Sequence, residues 1–250
     1  MRKGYVGTEG AQLHYFECGS ENAPLICLPP APHTGAFFGN FMPLIASQRS
    51  VRAYDYPGYG GSDRLTGNPS IKAYAKHITD HLDNAQKISL LGFHTGNLVA
   101  VEIAKLAPEL ISDLILIDVP YFDEPTREKY AASLPPNAIP DDVQAGFEKS
   151  VTGRHSSVPD TRAYELWVEG LRSGPFRADA FRAAFAYDCE VEFSNIKPPA
   201  TVIATQSSLL EPTRQAAKHL QGARLIELLD VTAPAFESYA AVLAETVLSL

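Results

Sequence analysis

One histidine stands between two glycines where an apolar run ends and a helical pattern begins. The run is Ile88-Ser89-Leu90-Leu91, the turn is Gly92-Phe93-His94-Thr95-Gly96, and the helical pattern starts at Asn97-Leu98-Val99-Ala100-Val101-Glu102. Glycines on both shoulders fit a sharp turn, because side chains beside the central residue would clash there. Histidine is one of the non-glycine residues that tolerate positive φ, so it can occupy such a turn. Its imidazole changes charge near neutral pH and can therefore act as a general acid or base. The other histidines need no chemistry. His14 and His155 lie in no motif, and His77 and His81 sit four apart on a helical pattern whose apolar positions are Ile71, Ala75, Ile78 and Leu82. That pair faces solvent and is too little for a metal site. Ser62 and Ser89 are read as a turn-capping hydroxyl and a strand residue.

Short apolar runs surround this turn. Leu13–Glu17, Leu25–Leu28, Val51–Tyr54, Ile88–Leu91, Leu114–Ile117, Thr201–Ala204 and Arg224–Leu229 read as strands. Their continuous apolar character suits parallel strands covered on both faces. Amphipathic segments alternate with them at Ser70–Ala85, Asn97–Leu106, Glu211–Leu220 and Phe236–Leu250. The alternation predicts an α/β fold with a mostly parallel central sheet flanked by helices. From Tyr121 to Phe193 the rhythm breaks. Prolines bound helical patterns at Arg127–Ser133, Asp142–Val151, Thr161–Arg172 and Arg177–Tyr187, and aromatics are frequent. The expected organisation is one domain: 1–120 as the first part of the sheet, 121–193 as a helical cap insertion, and 194–250 as the last part. The cap aromatics are expected to be buried, some of them lining a cavity over the turn.

The strand, G-x-x-x-G turn and helix together resemble the nucleophile elbow of the α/β-hydrolase superfamily, with His94 in the nucleophile's place. Asp55-Tyr56-Pro57-Gly58-Tyr59-Gly60-Gly61-Ser62-Asp63 resembles that family's turn after the fourth strand, with Asp55 as its loop-holding acid. Leu28-Pro29-Pro30-Ala31-Pro32-His33 stands where the family has its His-Gly oxyanion loop. The resemblance runs from about Val6 to Leu250. It implies an α/β-hydrolase fold and two backbone donors for a developing oxyanion, Thr95 N–H and Ala31 N–H. His33 lies further along the same loop and could face the same cavity.

The same resemblance implies a triad, and every position departs from it. The elbow holds His94. The position after the seventh strand falls at Ser208, with Ser207 as the alternative. The histidine position after the eighth strand falls near Ala233, and no histidine follows His219. Asp118, at the end of the sixth strand, is the acid that could orient His94, since some members of the family place their acid there. His33 or a bridging water are the alternative partners for the imidazole.

The chain has 250 residues, 21 lysines and arginines against 29 acids, a net charge of -8 and 45% hydrophobic residues. That balance predicts a folded globular chain and argues against nucleic-acid or anionic-membrane partners. Three cysteines, Cys18, Cys27 and Cys189, form no disulfide framework and no metal knuckle. No signal-peptide pattern and no run of ~18 apolar residues is present, so a cytoplasmic location is expected. No cofactor and no metal are expected; a small-molecule ligand is the expected partner, and a homodimer is left open. Two functions follow. One is a His94-assisted hydrolase or proton-transfer enzyme with a capped cavity for a small apolar or aromatic carbonyl compound. The other is a non-catalytic, ligand-binding pseudo-hydrolase.

Overall fold

Leu25–Leu28 and Ile88–Phe93 are buried at every position, as inner strands covered on both faces must be. They are β3 and β5 of an eight-stranded sheet ordered β1-β2-β4-β3-β5-β6-β7-β8. The other strands are β1 Arg2–Val6, β2 Leu13–Cys18, β4 Val51–Tyr54, β6 Ile111–Ile117, β7 Ala200–Gln206 and β8 Arg224–Thr232. β2 pairs antiparallel with both β1 and β4, and the remaining neighbours are parallel. The computed structural model describes residues 1–250 except 21–23, 84, 137–142 and 153–157; His155 therefore lies outside the described residues.

The helices are α1 Met42–Ile45, α2 Ile71–Thr79, α3 Thr95–Leu106, α4 Glu124–Ala132, α5 Val143–Thr152, α6 Asp160–Leu171, α7 Asp179–Phe185, α8 Cys189–Glu192, α9 Leu210–His219, α10 Ala235–Ser238 and α11 Ala240–Leu248. Two apolar layers enclose the sheet. One packs α2, α3, α7 and α9 on it through residues such as Tyr74, Ile78, Val99, Ile103, Ala183 and Ala216. The other packs α1, α10 and α11 through Met42, Ile45, Phe236, Leu243 and Val247. This is the α/β-hydrolase architecture, and α4 to α8 lie between β6 and β7.

Several expectations are corrected. β1 carries Arg2 and Lys3 and is largely exposed; such a polar edge strand has no apolar signature. β6 begins at Ile111 rather than Leu114, because the half-buried Ser112 and Asp113 both bond Ser89 Oγ inside the sheet. The second helix ends at Thr79, not Ala85, and Leu82 reaches the core from the following turn. The last helix is broken at Tyr239 (φ −124°, ψ 23°). Burial of the inserted aromatics is also incomplete: Tyr130, Tyr164 and Phe176 are 40%, 56% and 37% exposed. Tyr130 instead stacks on Phe185, Tyr164 meets Phe147 edge-on, and Phe176 lies under Arg64.

Candidate active site

The strand order reverses between β3 and β5, since β4 lies on one side of β3 and β5 on the other. Loops leaving the carboxyl ends at such a point diverge and open a crevice. His94 follows β5 there. Its backbone is held at φ 51°, ψ −121°, and both flanking glycines are required by close approach. A Cβ on Gly96 would lie 2.0 Å from Leu28 O, and one on Gly92 would lie 2.6 Å from the Asn97 backbone. Asp118 follows β6 at φ 50°. Among the described residues these two are the only non-glycines at positive φ, so the local strain of the backbone, of order 1–3 kcal/mol per residue, gathers at one place.

Asn97 ties the two strained turns together. It is fully buried, its Nδ2 donates to Ile117 O (2.8 Å) and Asp118 O (3.2 Å), and its Oδ1 accepts from Ile117 N (3.1 Å). Its role was missed in the sequence. The signal, a buried amide in the first turn of an otherwise apolar helix, is visible only once the neighbouring strand is known.

A cavity of about 420 Å³ opens over the elbow. It is lined by His94 and Phe93 from the elbow, by Ala31, His33 and Phe37 after β3, and by Asp118 after β6. Thr205 at the end of β7 and Ser207 and Ser208 in the turn after it line it, as do Ala233 to Ala235 with Glu237 from the segment after β8. The inserted segment adds Val158, just ahead of α6, and Leu166 of α6. The structure thus brings His94, Asp118, Ala31, His33, Ser208 and Ala233 to one cavity. Its aromatic wall comes from the core residues Phe37 and Phe93, whose rings stack at 5.6 Å, and not from the inserted aromatics. Glu237 was not singled out in the sequence. Its carboxylate is gripped by Arg162 of α6 (2.8 and 3.0 Å) and by Asn40 Nδ2 (2.7 Å).

The hydrogen bonds differ from expectation at two points. Asp118 does not bond His94. Its carboxylate accepts from Thr205 N (2.9 Å) and Thr205 Oγ1 (2.7 Å), so it reaches the imidazole only through its field. Burial pushes His94 below its ordinary 6.5, and the Asp118 charge opposes that shift. The ring is therefore neutral at pH 7, with one nitrogen a donor and the other an acceptor. The second departure is at Ala31. Its N–H, expected to serve an incoming oxygen, donates to Thr95 Oγ1 at 2.6 Å. The β-branched hydroxyl of the first residue of α3 thus takes up the donor from the facing loop.

Other polar clusters hold the frame. The Asp55 carboxylate accepts from Gly35 N, Gly61 N and His14 Nδ1 at 2.8 to 3.0 Å, fixing the turn after β4 against β2. Ser62 Oγ accepts from His14 N and donates to Asp55 O. Ser89 Oγ takes Arg49 at the far end of β5. His77 and His81 are both half-buried with rings 4.9 Å apart. Among the described residues no group of three or more His, Cys, Asp or Glu could hold a metal ion. The three cysteines are free, and no helix among the described residues is long and apolar enough to cross a membrane.

An eight-stranded sheet with a Gly-x-x-x-Gly elbow at its switch point and loops converging over it defines a class. The chain belongs to the α/β-hydrolase family, whose pattern it matches over residues 25–246. It is 26% identical to a putative carbamate hydrolase, RutD, of Pseudomonas savastanoi pv. phaseolicola over 228 residues, 84% of this chain and 87% of that one. Over 114 residues, 42% of this chain and 39% of the other, it is 30% identical to a 2-hydroxy-6-oxononadienedioate/2-hydroxy-6-oxononatrienedioate hydrolase of Escherichia coli. The enol-lactonase of Burkholderia xenovorans LB400 superposes with a TM-score of 0.76 at 20% identity, covering 98% of both chains. A thioesterase domain from the curacin biosynthetic pathway does so at 0.77 and 21%, covering 99% of both. At these identities the two structures establish the fold alone.

Proposed function

We propose that this chain binds a small, mostly apolar carbonyl compound over the elbow and acts on it by proton transfer through His94, without a covalent acyl intermediate. The observation that carries the reading is the state of His94. It is partly exposed at the cavity floor, fixed in a strained turn and kept neutral by burial. A neutral imidazole there can take a proton from a bound ligand or from water, or donate a hydrogen bond to the ligand's oxygen. The Phe37 and Phe93 rings and Val158 and Leu166 supply the apolar wall for the rest of the ligand. Ser62 and Ser89 lie in frame clusters, and the Ser207 hydroxyl accepts from Leu209 N within its own turn. A helical cap at 121–193 and a cytoplasmic setting complete the reading.

A second reading, a binding protein without turnover, is favoured by the Thr95–Ala31 hydrogen bond and by the engagement of Asp118 with Thr205. Both leave the elbow with fewer preorganised groups for a reacting carbonyl. One experiment separates the two. A panel of small esters, lactones, carbamates and ketones is screened for turnover and for binding, with His94→Ala as the control and a fluorophosphonate as a probe for activated serines. The expected result is turnover that falls by ~10²–10⁴ in His94→Ala, with no stoichiometric serine labelling. Unchanged turnover in the variant removes His94 from the chemistry. Saturable binding without turnover of any compound establishes the second reading.

A further inference from the structure

Ala31 lines the cavity wall together with His94, yet its N–H is already hydrogen-bonded inside the protein. Its partner, Thr95 Oγ1, belongs to the residue next to His94 and is itself buried. At 2.6 Å the oxygen sits where a ligand oxygen using that donor would have to sit. An N–H donor serves one good acceptor at a time, so the hydroxyl and a ligand oxygen compete for it.

We infer that Thr95 is a specificity-determining residue: its hydroxyl is a built-in occupant of the Ala31 donor and keeps ligand oxygens off it. The inference rests on the cavity being the ligand site. In the wild-type protein the ligand's oxygen is then held by the His94 ring and not by the Ala31 amide. A neutral carbonyl, content with one donor, is accepted. A carboxylate or another oxygen with a full negative charge needs several donors and is disfavoured, all the more so beside the Asp118 charge. The ligand class is therefore neutral carbonyl compounds. Removal of the hydroxyl should free the Ala31 donor and widen that class.

The test is a titration of the isotope-labelled full chain with acetophenone and, separately, benzoate, followed by NMR on the Ala31 amide and the His94 ring. In the wild type, acetophenone should move the His94 ring signals and leave the Ala31 amide in place, and benzoate should bind far more weakly. In Thr95→Ala the Ala31 amide should lose its protection from exchange and move with either probe. Affinity should rise by about tenfold, the value of one well-formed hydrogen bond. Thr95→Ser keeps the hydroxyl and should behave as wild type within about twofold. An Ala31 amide that moves with the His94 ring in the wild type overturns the inference, and this measurement needs no variant to fold. So does a Thr95→Ala protein whose amide has lost its partner but which binds neither probe more tightly. A wild-type titration in which the His94 signals stay fixed, while Thr95→Ala binds through Ala31, instead overturns the role given to His94 and leaves that of Thr95 standing.

Discussion

His94 carries two opposing influences, and their balance is measurable. Burial disfavours the imidazolium, and the Asp118 carboxylate favours it, with burial the larger. The Cε1–H resonance should titrate with a midpoint below 6.5, and Asp118→Asn should lower that midpoint further, because the opposing charge is gone. A midpoint that rises in Asp118→Asn would show that the field is not what couples them. The sign for stability follows from the same shift. As pH falls through 6.5 the unfolded chain takes up the proton before the folded one, so the unfolded state gains and stability drops until the folded value is passed. His94→Ala should therefore show a smaller loss of stability than wild type between pH 7 and pH 5 in urea unfolding.

The elbow as an element depends on space rather than on charge. β5, the turn and α3 approach β3 so closely that a Cβ on Gly96 would stand 2.0 Å from Leu28 O. Backbone cannot give way there without moving β3, the neighbour of β5 in the sheet. Gly96→Ala should therefore cost about 3 kcal/mol or more in urea unfolding, the upper range for overpacking. Gly10→Ala is the control: its φ is 78° but a Cβ would meet nothing within 4 Å, so only the left-handed backbone penalises it, by about 1 kcal/mol. Equal losses in the two variants would refute the packing argument. The elbow's second support, Asn97, acts through hydrogen bonds to β6, so the strained turns after β5 and β6 stand or fall together.

At the scale of the molecule, the inserted helices are fastened to the sheet by a few buried charges. Arg162 of α6 grips Glu237 of α10 and donates to Ala36 O and Phe37 O at 3.0 and 3.2 Å. Glu169 of the same helix accepts from Thr34 Oγ1 at 3.0 Å. The Glu237 side chain is only 4% exposed, so removing Arg162 leaves a buried carboxylate without its countercharge and with the neutral Asn40 amide as its partner. Arg162→Ala should cost about 3 kcal/mol, read by urea unfolding. Lys76→Ala breaks a surface pair whose side chains are 68% and 50% exposed, and it should change stability by less than ~0.5 kcal/mol. An Arg162→Ala protein as stable as the Lys76 variant would mean that the insertion is held by its apolar contacts alone. The same clamp joins the loops after β3 and β8 at the cavity, so the variant also reports on how the cavity wall is set.

The sequence by itself determined the family, the place of the elbow and the identity of the residue on it. Buried parallel strands must be continuously apolar, and a turn as tight as this one must carry glycines at Gly92 and Gly96, so both requirements are written in local residue types. The convergence of Ala31, His33, His94, Asp118, Ser208 and Ala233 was legible as well, because each follows a strand and the carboxyl ends of parallel strands lie together. The edge strand β1 was not legible, since its pairing with β2 leaves polar side chains in solvent. Nor were the partners of the site's polar groups. Whether Asp118 turns to His94 or to Thr205, whether Ala31 offers its N–H to a ligand or to Thr95, and where Arg162 finds a carboxylate are choices between residues 64 to 87 positions apart. Hydrogen bonds hold only within a few tenths of an ångström and a narrow range of angles. Strand register, helix placement and rotamer decide that geometry, and only the tertiary structure fixes them.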